Sequence, residues 1–145
     1  MAEILLIEDN PGDVLLTREA FKECGHNHSI FAVKDGIEGL RYLKKEGIYS
    51  NAATPDLVLL DLNLPRKDGR ELLKDIKEND ELKTIPVIIL STSKNEVDIE
   101  KCYELNVNCY ITKPVELDNF IEVIRSVEKY WMQTAKLPRT IKQLI

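Results

Sequence analysis

Cysteine is scarce in this chain: Cys24, Cys102 and Cys109 are odd in number, and no two stand in a C-x-x-C spacing. A disulfide framework is therefore not expected, and free thiols in a reducing cytosol are. Histidine is scarcer still. His26 and His28 flank Asn27, and two histidines so spaced can begin a metal site. No third ligand stands nearby in sequence, so an exposed polar turn is expected. Long apolar runs are missing, and stretches such as Val87-Ile88-Ile89-Leu90 are far too short to cross a bilayer. No basic segment follows Met1-Ala2, where Glu3 comes directly, so no secretory leader is expected. Positive charge is in deficit. With 20 Lys+Arg against 25 Asp+Glu the formal net charge is -5, which argues against a general affinity for nucleic acid. Lys44-Lys45 and the tail's Lys136, Arg139 and Lys142 then read as solvated faces. Repeats, low-complexity tracts and a second-domain linker are absent too. The 145 residues should form one cytoplasmic domain large enough for a proper core.

What is present is alternation. Short apolar runs read as strands at Ile4–Ile7, Ile30–Val33, Leu57–Leu60, Val87–Leu90 and Cys109–Ile111. Several are apolar without a period of two, as strands buried on both faces should be. Helical patterns lie between them. The first opens at Asn10-Pro11, a cap followed by proline at the first helical position, and runs to about Cys24-Gly25. Others cover about Gly36–Glu46, Gly69–Asn79 and Asn95–Leu105. The last carries Leu117, Phe120, Ile121, Ile124, Val127 and Trp131 at helical spacing. Five strands interleaved with five helices predict an α/β fold with a doubly wound parallel sheet and helices on both faces. Pro138 breaks the tail that begins at Thr134, and Ile141–Ile145 could form one more turn.

The strand ends carry the chemistry. The first finishes at Glu8-Asp9, the third at Asp61, the fourth at Ser91-Thr92 and the fifth at Thr112-Lys113-Pro114. The first and third strands are neighbours in such a sheet, so Glu8, Asp9 and Asp61 should converge. Three crowded carboxylates repel, and a hard divalent ion with oxygen ligands, Mg²⁺ above all, resolves the repulsion. Mg²⁺ keeps waters and favours phosphate oxygens, so the pocket suits a phosphoryl group. Asp61 is then the nucleophile, because carboxylates form acyl phosphates. Lys113 supplies a point charge and Ser91 a hydroxyl for phosphoryl oxygens. Each residue also has a plainer reading. Glu8-Asp9 can cap the first helix, Asp61 can be turn chemistry, and Lys113 can be a surface lysine.

Taken together these residues resemble a response-regulator receiver domain over about residues 3 to 130. The resemblance rests on Glu8-Asp9, on Asp61 in Asp-x-Asn-x-Pro-x-x-Asp-Gly, on Ser91 and on Lys113-Pro114. It implies a flavodoxin-like sheet in the order 2-1-3-4-5. It implies that Asp61 takes a phosphoryl group from a sensor histidine kinase. It implies Mg²⁺ held by Asp9 and Asp61, by Glu8 through water and by the main-chain carbonyl of Asn63. Lys113 and Ser91 would bind the phosphate. Tyr110 aligns with the switch aromatic, which turns inward when Ser91 is drawn to the phosphate and remodels a protein-binding face. A half-exposed strand aromatic is the plainer reading of Tyr110. The Lys113–Pro114 bond is expected to be cis.

Some positions depart from the common pattern. Glu8 stands where many members have Asp, and Ser91 where Thr is commoner. A branched Thr92 is expected to narrow the approach to Asp61 and slow loss of phosphate. Asn106 replaces a frequent glycine but tolerates positive φ. Asn10-Pro11-Gly12-Asp13, the long loop before Asp56 and Tyr130-Trp131-Met132 with Leu137-Pro138 are similar to stand-alone regulators paired with phytochromes. Those relatives imply a phytochrome kinase as partner, an unknown downstream protein, and a C-terminal extension over 131–145 that supports a homodimer. Trp131 can equally cover the edge of the core. Two other functions compete. An aspartate-nucleophile phosphohydrolase usually needs an acid two residues after its nucleophile, and Asn63 stands there. A phosphorylation-independent scaffold has no need of Asp61, Asp9 and Lys113 together. Nothing follows residue 130 that is large enough for an effector domain, so a regulator rather than an enzyme is expected, without nucleic-acid or membrane partners.

Overall fold

A computed structural model describes residues 2–138. The strands are β1 (Glu3–Ile7), β2 (Ser29–Val33), β3 (Leu57–Leu60), β4 (Val87–Ser91) and β5 (Cys109–Thr112). All pair in parallel, in the order β2-β1-β3-β4-β5. The helices are α1 (Pro11–Glu23), α2 (Gly36–Leu43), α3 (Gly69–Glu78), α4 (Glu96–Glu104) and α5 (Leu117–Val127). The expected doubly wound sheet is the observed one, with strand boundaries displaced by a residue or so.

Successive strand residues feed opposite cores, as the pleat requires. Leu5, Ile7, Val58, Leu60 and Ile89 pack with Leu43 of α2 and Leu72, Leu73 and Ile76 of α3. Ile4, Leu6, Leu57, Leu59, Ile88 and Leu90 pack with Ala20 and Phe21 of α1 and Phe120, Ile124 and Val127 of α5. The uninterrupted apolar character of β1, β3 and β4 thus reflects burial on both faces. Four side chains start helices. Asn10, Asp35, Asp68 and Asn95 each accept from backbone N–H groups of the first turn of α1, α2, α3 and α4.

Four expectations need correction. The second helix stops at Leu43 rather than near Glu46, because Lys45 takes a left-handed conformation with φ 57°. The final α-helix does not carry its period to Trp131; from Glu128 to Thr134 the backbone winds into a π-helical stretch. The cause lies at Glu128, which the helical phase places on the buried face, 2% exposed. Its carboxylate there needs donors, and the wider turn sets Gln133 Nε2 2.6 Å from Oε2. His28 is no exposed turn residue. Its side chain is 6% exposed, with Nε2 3.2 Å from Glu128 Oε1. Its Nδ1 accepts the Ala2 N–H at 3.2 Å, so Nε2 carries the proton and donates to Glu128. Finally, no peptide bond among the described residues is cis. Lys113–Pro114 is trans, the intrinsically favoured isomer, and Lys113 reaches the pocket in that geometry.

Asn106 has φ 69°, as its residue type allows. The three cysteines are free, and burial pushes their thiols up. Trp131 and Met132 pack on the α1–α5 core, and Leu137 is buried beyond them. No helix among the described residues is long and apolar enough to cross a membrane. The turn expected at Ile141–Ile145 lies outside the described residues.

Candidate functional site

The parallel register brings the strand tips together. Ile7 pairs with Leu60 and Leu60 with Ile89, so Glu8-Asp9 and Asp61 leave adjacent strands at one level. Ser91 pairs with Thr112, which delivers Lys113 to the same edge. Glu8, Asp9 and Asp61 each offer a carboxylate oxygen, and these lie within 4.8 Å of one another. Glu8 is buried, Asp61 half-buried and Asp9 exposed, so the cluster is sealed on one side and open on the other.

Lys113 answers this charge. Its side chain is buried, and its Nζ donates to Glu8, to Asp13 Oδ2 at 3.0 Å and to Asp61 Oδ2 at 3.4 Å. Burial opposes the ammonium charge, but the bond to Glu8 and the charges of Asp61 and Glu8 outweigh it and raise Lys113 above its ordinary value. Glu8 feels the opposite balance. Burial raises its carboxyl; the bond from Lys113 lowers it, and Asp61 raises it again, to about 7. One lysine therefore does not neutralise the cluster. All-oxygen donors and uncompensated negative charge fit a hard divalent ion better than a soft one.

Asp61 is held from behind. Its N–H donates to the Ile7 carbonyl at 3.1 Å, and its Oδ1 accepts the Asn63 N–H at 3.1 Å. Its loop folds back against the start of α3, where Gly69 N–H donates to Leu62 O at 2.9 Å. A Cβ at Gly69 would stand 2.3 Å from the Asp61 carbonyl oxygen, so only glycine permits this approach. Exposed Thr92 stands at the end of β4. Ser91 is fully buried, and its Oγ accepts the Ser93 N–H at 3.2 Å. Tyr110 is half-buried and already turned inward, its hydroxyl donating to the Ser93 carbonyl at 2.9 Å.

Glu8, Asp9, Asp61, Ser91 and Lys113 stand at this sheet edge, while Tyr110 lies within β5 opposite Ile89 and reaches the edge through its hydroxyl. Asp13 was missed. It lies in the first turn of α1. An acid one turn beyond the Glu8-Asp9 tip was the available signal, but nothing in the sequence fixes the rotation of α1 that aims it at Lys113.

The comparisons with known proteins agree with this geometry. The family model described as the response regulator receiver domain matches residues 4–125. The chain is 44% identical over 135 residues to response regulator Rcp1 of Synechocystis sp., covering 93% of this chain and 92% of that one. Among solved structures, the phosphorylated cyanobacterial phytochrome response regulator RcpA superposes with a TM-score of 0.90 at 48% identity, over 94% of this chain and 98% of that one. The Mn²⁺-bound form of Rcp1 superposes with a TM-score of 0.91 at 43% identity, over 95% and 99%. This chain belongs to the response-regulator receiver family and is homologous to response regulator Rcp1 and to the phytochrome response regulator RcpA.

Proposed function

We propose that this chain accepts a phosphoryl group on Asp61 from a sensor histidine kinase and thereby switches a protein-binding surface. The observation that carries the reading is the convergence of Asp61, Glu8 and Asp9 in one cluster, with buried Lys113 bonded to Glu8 and Asp61. In the transfer a carboxylate oxygen of Asp61 attacks phosphorus, the P–N bond of the phosphohistidine breaks, and its electron pair returns to the imidazole. The product is an acyl phosphate. Lys113 lies where it can meet the phosphoryl oxygens, and Ser91 can give its proton to another. Glu8, Asp9 and Asp61, with the main-chain carbonyl of Asn63, would hold Mg²⁺, which supplies charge neutralisation for phosphoryl oxygens. Asn63 offers no general acid two residues after the nucleophile, so the acyl phosphate is set and slowly lost rather than turned over. Self-phosphorylation from small donors and slow autodephosphorylation are then its only chemistry.

The partner is a phytochrome-type kinase, by homology to regulators named for that pathway. Residues 1–130 form the receiver domain, and the extension over 131–145 supports a cytoplasmic homodimer, with Tyr130, 57% exposed, beside Trp131 at its start. Ser91 and Tyr110 relay the state of Asp61 to the downstream protein.

Incubation with phosphoramidate and Mg²⁺, followed by intact mass, tests the acceptor. The parent should gain one phosphoryl group and Asp61→Asn none. Equal labelling of both would refute it.

A further inference from the structure

Outside the phosphoryl pocket, an unbroken chain of polar contacts runs from α3 to the switch. It starts at Arg70, one residue past Gly69. The guanidinium Nη1 lies 3.1 Å from both oxygens of Asp68, the cap of α3. On its other side Nη2 lies 2.8 Å and Nε 3.2 Å from Asp98 Oδ1, in the first turn of α4. Asp98 Oδ2 accepts the Ser93 hydroxyl at 2.8 Å. The remaining polar groups of Ser93 are those already met: its N–H on Ser91 Oγ, its carbonyl under the Tyr110 hydroxyl.

Ser93 is thus where both parts of the switch are anchored. Its N–H occupies the acceptor side of the Ser91 hydroxyl and leaves the Ser91 proton free for a phosphoryl oxygen. Its carbonyl keeps Tyr110 inward. Its own hydroxyl is the third tether, and Arg70 fixes that tether to the helix whose first residue, Gly69, donates its N–H to the carbonyl of Leu62, the neighbour of Asp61. Arg70 and Asp98 are each about one quarter exposed, and the fork of Arg70 spans two carboxylates at once.

We infer that Arg70, acting through Asp98 and Ser93, is a positioning residue for phosphoryl transfer: it holds the β4–α4 loop with the Ser91 proton aimed at the pocket and Tyr110 inward. The inference rests on Asp61 being the acceptor. Arg70 itself touches no reacting atom.

The experiment follows phosphorylation by phosphoramidate and subsequent phosphate loss, by intact mass, in the full chain with Mg²⁺. Arg70→Met should slow phosphorylation and shorten phosphate lifetime by about 3- to 10-fold, with Mg²⁺ affinity unchanged. Arg70→Lys, which keeps the charge but loses the fork, should fall between. Ser93→Ala should slow transfer similarly, and Arg70→Met added to it should cost nothing more, because the tether is already gone. A merely structural role would instead give additive losses that track melting temperature. If the parent is labelled and Arg70→Met matches its rates, or if the two substitutions add, the inference is overturned alone. A parent that takes no phosphoryl group, or takes it equally as Asp61→Asn, overturns the acceptor reading and this inference with it.

Discussion

Replacing Glu8 by glutamine should change how the fold responds to pH, in a way that Mg²⁺ conceals. Glu8 is 3% exposed, and its carboxyl is raised from 4.5 to about 7, first by burial and then by Asp61, against the pull of Lys113. In the unfolded chain that carboxyl titrates near its ordinary 4.5. Between the two values the folded chain keeps a proton that the unfolded chain has released, so stability falls as pH rises through this window. Below 4.5 Glu8 contributes nothing, and above about 7 its whole cost is present. At about 1.36 kcal/mol per pH unit the gap corresponds to on the order of 3 kcal/mol. Lys113 does not confuse the reading. It is raised above its ordinary 10.5, so its contribution is intact throughout and is lost only as pH climbs past that value.

Urea midpoints for parent and Glu8→Gln, followed across this window with EDTA, measure the effect. The parent should lose stability with rising pH while the substituted chain stays flatter and ends above it. In saturating Mg²⁺ the parent should lose its slope, because the ion neutralises the ionised carboxylates. Parallel curves in EDTA would refute the reasoning: Glu8 would then be ionised throughout, held so by Lys113.

Three further substitutions probe separate parts of the structure. Gly69→Ala forces a Cβ to within 2.3 Å of the Asp61 carbonyl oxygen, and should cost about 1–3 kcal/mol and lower the melting temperature by several degrees; an unchanged melt would show that the loop yields. Asp13→Asn removes one of three carboxylates from Lys113, so the ammonium should meet the phosphoryl group more readily and phosphoramidate labelling should quicken severalfold; slower labelling would show that Asp13 aims Lys113 rather than competing for it. His28→Ala leaves the buried Glu128 carboxylate with Gln133 as its hydrogen-bond donor and His26 Nε2 4.0 Å away, and should cost about 2 kcal/mol in urea unfolding; no loss would mean that water or His26 replaces the imidazole.

The sheet was legible because burial on both faces writes itself as unbroken apolar runs, and the acids at the ends of those runs needed only the parallel topology to bring them together. The residues that escaped depend on angles that apolar patterning does not encode. Asp13 sits on Lys113 because of the rotation of α1 about its axis, and hydrophobic spacing places such a rotation only to within a residue. Glu128 escaped for a related reason. Its spacing from Ile124 sets it on the buried stripe, but a stripe traced through apolar residues passes over a charge. The donors that make its burial tolerable, His28 and Gln133, come from a distant turn and from a π-helical stretch. The isomer of Lys113–Pro114 escaped because the two forms differ intrinsically by only about 0.5–1 kcal/mol.

The same economy of charge explains why the site reads as a switch. Lys113 is shared among Glu8, Asp13 and Asp61, while Asp9 stands exposed beside them without a share. Under the proposed function a phosphoryl group would add negative charge where there is already too much, and its arrival would force a redistribution: Lys113 would turn from carboxylates to phosphoryl oxygens, and Glu8, left without its partner, would be held in its protonated form. That rearrangement would be discrete, because every group involved is pinned to a rigid strand tip or a capped helix, and it would reach the surface through buried Ser91 and the loop that Tyr110 already grips. An enzyme built on this edge would place an acid at position 63 to drive the phosphate off again. With Asn63 there, the charge would stay, and what the pocket would control is the time for which the rearranged face persists.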